Sequence, residues 1–348
     1  TRACMRLDWV YQMSGQFAKA HRLASNRITS LTKTYGANSC RIVNAMHYVM
    51  NTAQYRNHWS QSVQIADAAL RIRRRMVRPG QILSYNQFWA GMAHYHLGHG
   101  GRVRELLQKS LLNQKKPNRP KAIGRSRLQV LAFLADTYEK YGRNCRANEL
   151  WLNFEDLATN LEDERQLTSF NGLSYVGAVT AVALHCARNG QYEKATKIIH
   201  IKRDKCRIGF QDGHPLVLSL DNAEAEIELM KGNVEVASTI IDKTQKRWES
   251  LQVGGLTGHV QCALLKSKVL TKLGKLAAAM SWATNALRLF NEMDKEPSFI
   301  RAEILLTMSK IQGDRKELTS RNWFGTSTGQ QAKNYKKLAD VELSKSWH

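Results

Sequence analysis

Three histidines, His94, His96 and His99, stand close enough in the chain for one helix face to offer two imidazoles to a metal ion. No cysteine or carboxylate stands beside them at ligand spacing, and Gly98 interrupts the run, so they are read as core or surface histidines. Carboxylates gather in two places: Glu149, Glu155, Asp156, Glu162, Asp163 and Glu164, then Asp221, Glu224, Glu226 and Glu228. Paired carboxylates can do general acid–base work. On amphipathic helices, however, this spacing builds a solvated face or a partner for basic neighbours. The chain has no HExxH, GxxxxGK[ST] or GxSxG motif and no Rossmann glycine fingerprint. We therefore expect no catalytic residue, no metal and no cofactor: the chain reads as a non-enzyme without a small-molecule substrate.

The basic residues carry a stronger signal. The 348 residues hold 52 Lys+Arg against 29 Asp+Glu, a formal net charge of +23, and residues 1–148 alone account for +20 of it. Self-repulsion of this size adds nothing to stability, which points to a polyanionic partner, nucleic acid first. Three clusters stand out: Arg71, Arg73, Arg74, Arg75 and Arg78; Lys115, Lys116, Arg119, Lys121, Arg125 and Arg127; and Lys202, Arg203, Lys205 and Arg207. Arginine's bidentate fork suits phosphate oxygens. No aromatic stacking platform accompanies the clusters, so the contact expected is with the backbone of folded RNA, without reading of bases. The six cysteines (Cys4, Cys40, Cys145, Cys186, Cys206 and Cys262) form no CxxC pair and read as isolated thiols. The first residues, Thr-Arg-Ala-Cys, lack an initiator Met, which is expected of a processed chain or a portion of a longer one.

What positions these side chains is an internal repeat of about 42 residues. Its turn residues are Gly15, Asn57, Gly98, Gly142, Gly190, Gly232, Gly274 and, less regularly, Gly313, at spacings of 42, 41, 44, 48, 42, 42 and 39. A small residue usually follows five positions later, as Ala20, Ser62, Ala147, Ala195, Ala237 and Ala279. Small side chains there let two antiparallel helices approach closely. Ahead of Gly142, Leu131, Leu134, Ala135 and Tyr138 fall on one face of a 3.6-residue period. The five prolines (Pro79, Pro117, Pro120, Pro215 and Pro297) fall between units, where they damage no helix. The third unit departs from the pattern with Gly100 where an aromatic is expected, and the eighth lacks a second helix.

The run Leu134-Ala135-Asp136-Thr137-Tyr138-Glu139-Lys140-Tyr141-Gly142 resembles the first helix and turn of the tetratricopeptide-repeat family, and Gly190-Gln191-Tyr192-Glu193-Lys194-Ala195 resembles its turn into the second helix. The longer period, against the usual unit of about 34 residues, and the linker Asp212-Gly213-His214-Pro215 are similar to repeats of the kinesin-light-chain type. The resemblance implies an all-α, right-handed helical-repeat solenoid of antiparallel helix pairs with a long concave binding surface. It is expected to span residues 1–312 in seven to eight pairs, with residues 313–348 a C-terminal tail. That tail includes a polar stretch at 321–329 and a short capping helix at about 330–345.

Links between units line up along one edge of a solenoid, so the three basic clusters are expected to form an RNA-facing stripe. The reading is a scaffold in a large assembly, a mitochondrial ribonucleoprotein or ribosome, held by RNA at the basic edge and by proteins on the concave face. The rival is a protein-only adaptor, cytoplasmic, ciliary or motor-associated, holding a peptide or an acidic protein tail in the groove. First-helix residues Met92, Tyr95, Asp136 and Lys140 would then matter most. No stretch reaches the roughly 18 apolar residues of a membrane span.

Overall fold

The computed structural model describes residues 7, 10–11, 16–55, 59–75, 80–113, 120–160, 173–210, 212–251, 257–293, 296–320 and 327–348. Among these, helix follows helix: α1 (Phe17–Tyr35), α2 (Cys40–Tyr55), α3 (Trp59–Arg74), α4 (Gly80–Leu97), α5 (Gly100–Asn113), α6 (Pro120–Lys140), α7 (Asn144–Asn160) and α8 (Leu173–Arg188). They continue as α9 (Tyr192–Gly209), α10 (Pro215–Lys231), α11 (Val234–Ser250), α12 (Thr257–Lys272), α13 (Leu276–Met293), α14 (Phe299–Ser320) and α15 (Ser327–Trp347). Successive helices pack as antiparallel pairs, and the first helices of neighbouring pairs (α4, α6, α8, α10, α12 and α14) also lie side by side. They form the inner layer of an all-α helical-repeat solenoid, with the second helices outside.

The turns follow the predicted register. Gly98, Gly142, Gly190, Gly232 and Gly274 all adopt positive φ, between 68° and 91°. Only glycine enters that region without a Cβ penalty, and it ends one helix while releasing the next. Ala147, Ala195, Ala237 and Ala279, five past their turns, are at most 1% exposed, as close packing of the pairs requires. Gly15 and Asn57 lie outside the described residues. At Gly100 the missing side chain makes room for a neighbour: a Cβ there would sit 2.4 Å from the ring of Tyr141. The aromatic absent from the third unit is supplied by the fourth.

Three expectations are corrected. Gly313 makes no turn, because α14 runs through it; one glycine costs a helix interior only about 1 kcal/mol, and Ile311, fully buried beside it, is among the core contacts that hold this turn. The boundary at 312/313 therefore falls inside a helix. The eighth unit keeps its second helix, α15, which is longer than the expected capping helix and packs along α14. The basic clusters are not confined to links: that at 202–207 lies wholly within α9, Arg71, Arg73 and Arg74 lie in α3, and Lys121, Arg125 and Arg127 lie in α6.

The solenoid closes on itself. The Phe299 N–H donates to Gly98 O at 3.0 Å, and the Ser298 hydroxyl to Leu97 O. Tyr141 Oη donates to Gly98 O at 2.9 Å, accepts from Gly100 N–H at 3.2 Å and lies 2.7 Å from Ser346 Oγ. Trp347, near the chain end, packs its ring on Tyr138 and Tyr141, with the Arg104 guanidinium 4.7 Å from its centroid. It thereby joins the largest apolar core, which otherwise runs from Trp59 to Ile227. Among the described residues no helix is long and apolar enough to cross a membrane.

Candidate functional site: the inner channel

Curling the inner layer into a closed turn encloses a channel of about 360 Å³. Tyr95 and His96 of α4, Lys140 of α6, Arg188 of α8, Asn222 and Glu226 of α10, Lys268 of α12, and Phe299 and Glu303 of α14 line it. These first helices turn a stripe of mixed polar and apolar residues inward, and charged side chains of five of them, α6, α8, α10, α12 and α14, converge.

The densest part centres on Asp136, which is wholly buried beneath the channel wall. Its carboxylate accepts from Tyr95 Oη at 2.6 Å and pairs with Lys140 Nζ at 2.7 Å and Arg188 Nη1 at 3.1 Å. Arg188 also reaches Glu139 at 3.0 Å, and Trp151 Nε1 donates to the same Glu139 oxygen. Burial disfavours the Asp136 carboxylate, but the charges of Lys140 and Arg188 outweigh it and hold the carboxyl down at about 2. Desolvation disfavours the Lys140 ammonium, and the attraction of Asp136 more than offsets this, raising its pKa. Desolvation pushes the Tyr95 phenol up, reinforced by Asp136. Across the channel Lys268 and Glu303 pair at 2.6 Å, each held in its charged form by the other against burial. At the aromatic end His96 stacks on Trp59 at 3.9 Å, and burial drives its pKa down to about 3, so it is a neutral wall residue.

The four proposed protein-binding residues therefore divide. Tyr95 and Lys140 line the channel; Asp136 lies beneath them as their anchor; Met92, with no exposed surface, belongs to the core. Arg188, Asn222, Lys268 and Glu303 were missed, and Glu226, expected on a solvated carboxylate face, lines the channel instead. A signal existed: Asp136, Glu226 and Lys268 each stand six residues before a turn glycine, on first helices that are otherwise largely apolar.

The basic clusters divide as well. Arg71, Arg74, Arg75 and Arg127 are exposed, whereas Arg73 is buried and donates to Asn44 Oδ1 at 3.1 Å. Arg78, Lys115, Lys116 and Arg119 lie outside the described residues, as do the side chains of Lys121 and Arg125. Within α9, Lys202 is fully buried, Arg203 is paired with Glu224 and Asp221, and Arg207 pairs with Asp212 at 2.9 Å; Lys205 is half-buried. A helix buries one side whatever its composition, so this cluster cannot present four cations to one partner. Of the histidines, His94 and His99 face each other with their Nδ1 atoms 3.0 Å apart, and no metal-binding group of three His, Cys, Asp or Glu occurs among the described residues.

No family model matches the sequence. A search of curated proteins finds no relative. Among solved structures, a Rap protein complexed with competence and sporulation factor superimposes with a TM-score of 0.60 at 10% identity, covering 99% of both chains. A putative kinesin light chain of nearly identical TPR-like repeats from Podosopora anserina gives 0.39 at 12% identity over 65% of this chain and 98% of its own. A signal-transduction ATPase with a tetratricopeptide-repeat sensor from Pyrococcus horikoshii gives 0.45 at 15% identity over 94% of this chain and 52% of its own. The chain has the fold of a tetratricopeptide-like helical-repeat protein.

Proposed function

We propose that this protein is a non-enzymatic repeat scaffold that holds a short peptide segment of a partner in its inner channel. The observation that carries the reading is the channel itself: a walled space within the roughly 300–1,000 Å³ of ligand pockets, lined by aromatic rings and by fixed charges from five units. The Rap protein that shares the fold was solved with a bound factor, which is consistent with it. Thr180, on α8, lines the channel without an ion pair, so Thr180→Trp fills the space and leaves the charges in place. Peptides selected from a random heptamer library on the unaltered protein should be lost on this variant. Equal retention by both would refute the reading.

A second reading rests on the exposed cations of the N-terminal half. Arg71 and Arg74 of α3 and Arg102 of α5 surround one outer hollow, and Arg75 follows at the end of α3. We infer an edge that contacts RNA phosphates in a large ribonucleoprotein, mitochondrial in the fullest form of the proposal. Six phosphate contacts would give a slope of roughly −4 in log affinity against log salt on single strands. Arg74→Glu with Arg75→Glu should lower co-sedimentation with RNase-sensitive particles; unchanged sedimentation would refute it.

A further inference from the structure

The channel is electrostatically unlike the rest of the chain. Six charged side chains line it, three acidic (Glu139, Glu226, Glu303) and three basic (Lys140, Arg188, Lys268), and Asp136 lies directly beneath. In a chain of net charge +23, this interior therefore carries one negative charge in excess. Every cation in it is matched: Lys140 by Asp136, Arg188 by Asp136 and Glu139, Lys268 by Glu303. Among the described residues Glu226 has no hydrogen bond and no ion pair, although Arg188 and Lys268 both feel its charge.

One helical turn away on α10, Asn222 shows a second vacancy in the bonding. It is 3% exposed and lines the channel; its side-chain nitrogen donates to Gly258 O at 2.8 Å, while its buried Oδ1 accepts nothing. A buried amide oxygen without a donor costs stability, and the half-buried Glu226 carboxylate lacks a cation within bonding distance. Both are relieved by a ligand that brings a cation and an N–H about 6 Å apart, the rise of the four residues from Asn222 to Glu226. An extended peptide does so with a lysine or arginine side chain and a neighbouring backbone amide. Leu264, Leu265 and Phe299 line the same channel and favour apolar flanking residues.

We propose that the channel selects a short peptide with a basic side chain, its ammonium or guanidinium group seated on Glu226 and a backbone N–H donating to Asn222 Oδ1. This deepens the peptide reading and rests on it. A random heptamer library is selected on the full chain, on Glu226→Gln, on Glu226→Lys and on Glu193→Gln, an exposed control on α9. The parent and the control should enrich Lys and Arg. The Gln variant should bind those peptides at least ten-fold more weakly, and the Lys variant should enrich Asp and Glu. Because Glu226 has no bonded partner to lose, the thermal midpoint of the neutral Gln variant should stay within about 1 °C of the parent. Channel-dependent peptides without a preference for cations, or a preference that survives Glu226→Gln, would overturn the proposal and leave peptide binding standing. Failure to select any peptide that Thr180→Trp excludes would overturn both. Spermidine bound in a Glu226-dependent way without any selected peptide would likewise refute the peptide as occupant.

Discussion

Replacing Asp136 by Asn removes a charge from the point where three side chains of three units meet. The carboxyl is held at about 2 against an ordinary 3.8, which corresponds to about 2 kcal/mol of preference for the charged form. Removing one member of a buried charge cluster costs about 3–5 kcal/mol, mostly through the cations left behind. Here Arg188 keeps Glu139 and Lys140 keeps the Tyr95 hydroxyl at 3.2 Å, so the low end applies, about 3 kcal/mol. With an unfolding entropy of about 2.1 cal/mol/K per residue, that lowers the thermal midpoint of the chain by about 4 °C. The sign with pH follows from the depressed carboxyl. Its contribution is complete above the unfolded value near 4 and is lost as pH falls through about 2, so the gap between parent and variant narrows over that window. Calorimetry at pH 7 and denaturant titration at pH 7 and 3 measure both quantities. A second cycle in a Lys140→Met background should recover about 1 kcal/mol or more of coupling. A midpoint lowered by less than 1 °C, or a gap that does not change with pH, would refute the assignment of Asp136 as the anchor of the channel wall.

Other outcomes follow from the same structure. Burial holds His96 and His214 near 3, below an unfolded value of 6.5, so each should withdraw about 2 kcal/mol of stability between pH 7 and pH 5, read by denaturant titration. Trp347→Ala should cost about 3 kcal/mol, and Gly101→Val should unseat the same residue, because a Cβ at Gly101 would stand 2.4 Å from the Trp347 carbonyl oxygen; hydrogen exchange at α5 and α15 should rise together in both. Cys145 is exposed whereas Cys186, Cys206 and Cys262 are buried with their thiols raised by desolvation; of these four, Cys145 should be alkylated first in the native state, by mass spectrometry.

The repeat was legible because its punctuation is chemical. A left-handed turn needs glycine, and a close helix pair needs alanine at a fixed distance, so Gly142 with Ala147 or Gly274 with Ala279 announces the unit in the sequence itself. Burial was less legible. The 3.6-residue period tells which residues share a face, but Lys202 and Met92 show that it does not tell which face a neighbouring unit covers. Gly313 looked like punctuation because its spacing was nearly right, and packing overrode it. The channel was the least legible part: Glu226 reads as one carboxylate of a solvated face, and Lys268 carries no signal of its own, until the first helices bring them together, which depends on rotation accumulated over the whole array.

An open repeat array is close to one-dimensional: each unit leans only on its neighbours, its stability is nearly a sum of adjacent terms, and its ends fray independently. The contacts between Leu97 and Ser298 and between Tyr141 and Ser346 span 201 and 205 residues. Closing a loop of about 200 residues costs about 5 kcal/mol of chain entropy beyond a constant, and those contacts can form only after the intervening units are in place. Folding should therefore finish with a slow, late closure. Once closed, the helices from α4 to α15 behave as a cycle in which α5 and α15 are each other's neighbours. Loosening either one is then felt at both, and melting should be more cooperative than a linear stack of the same helix pairs allows.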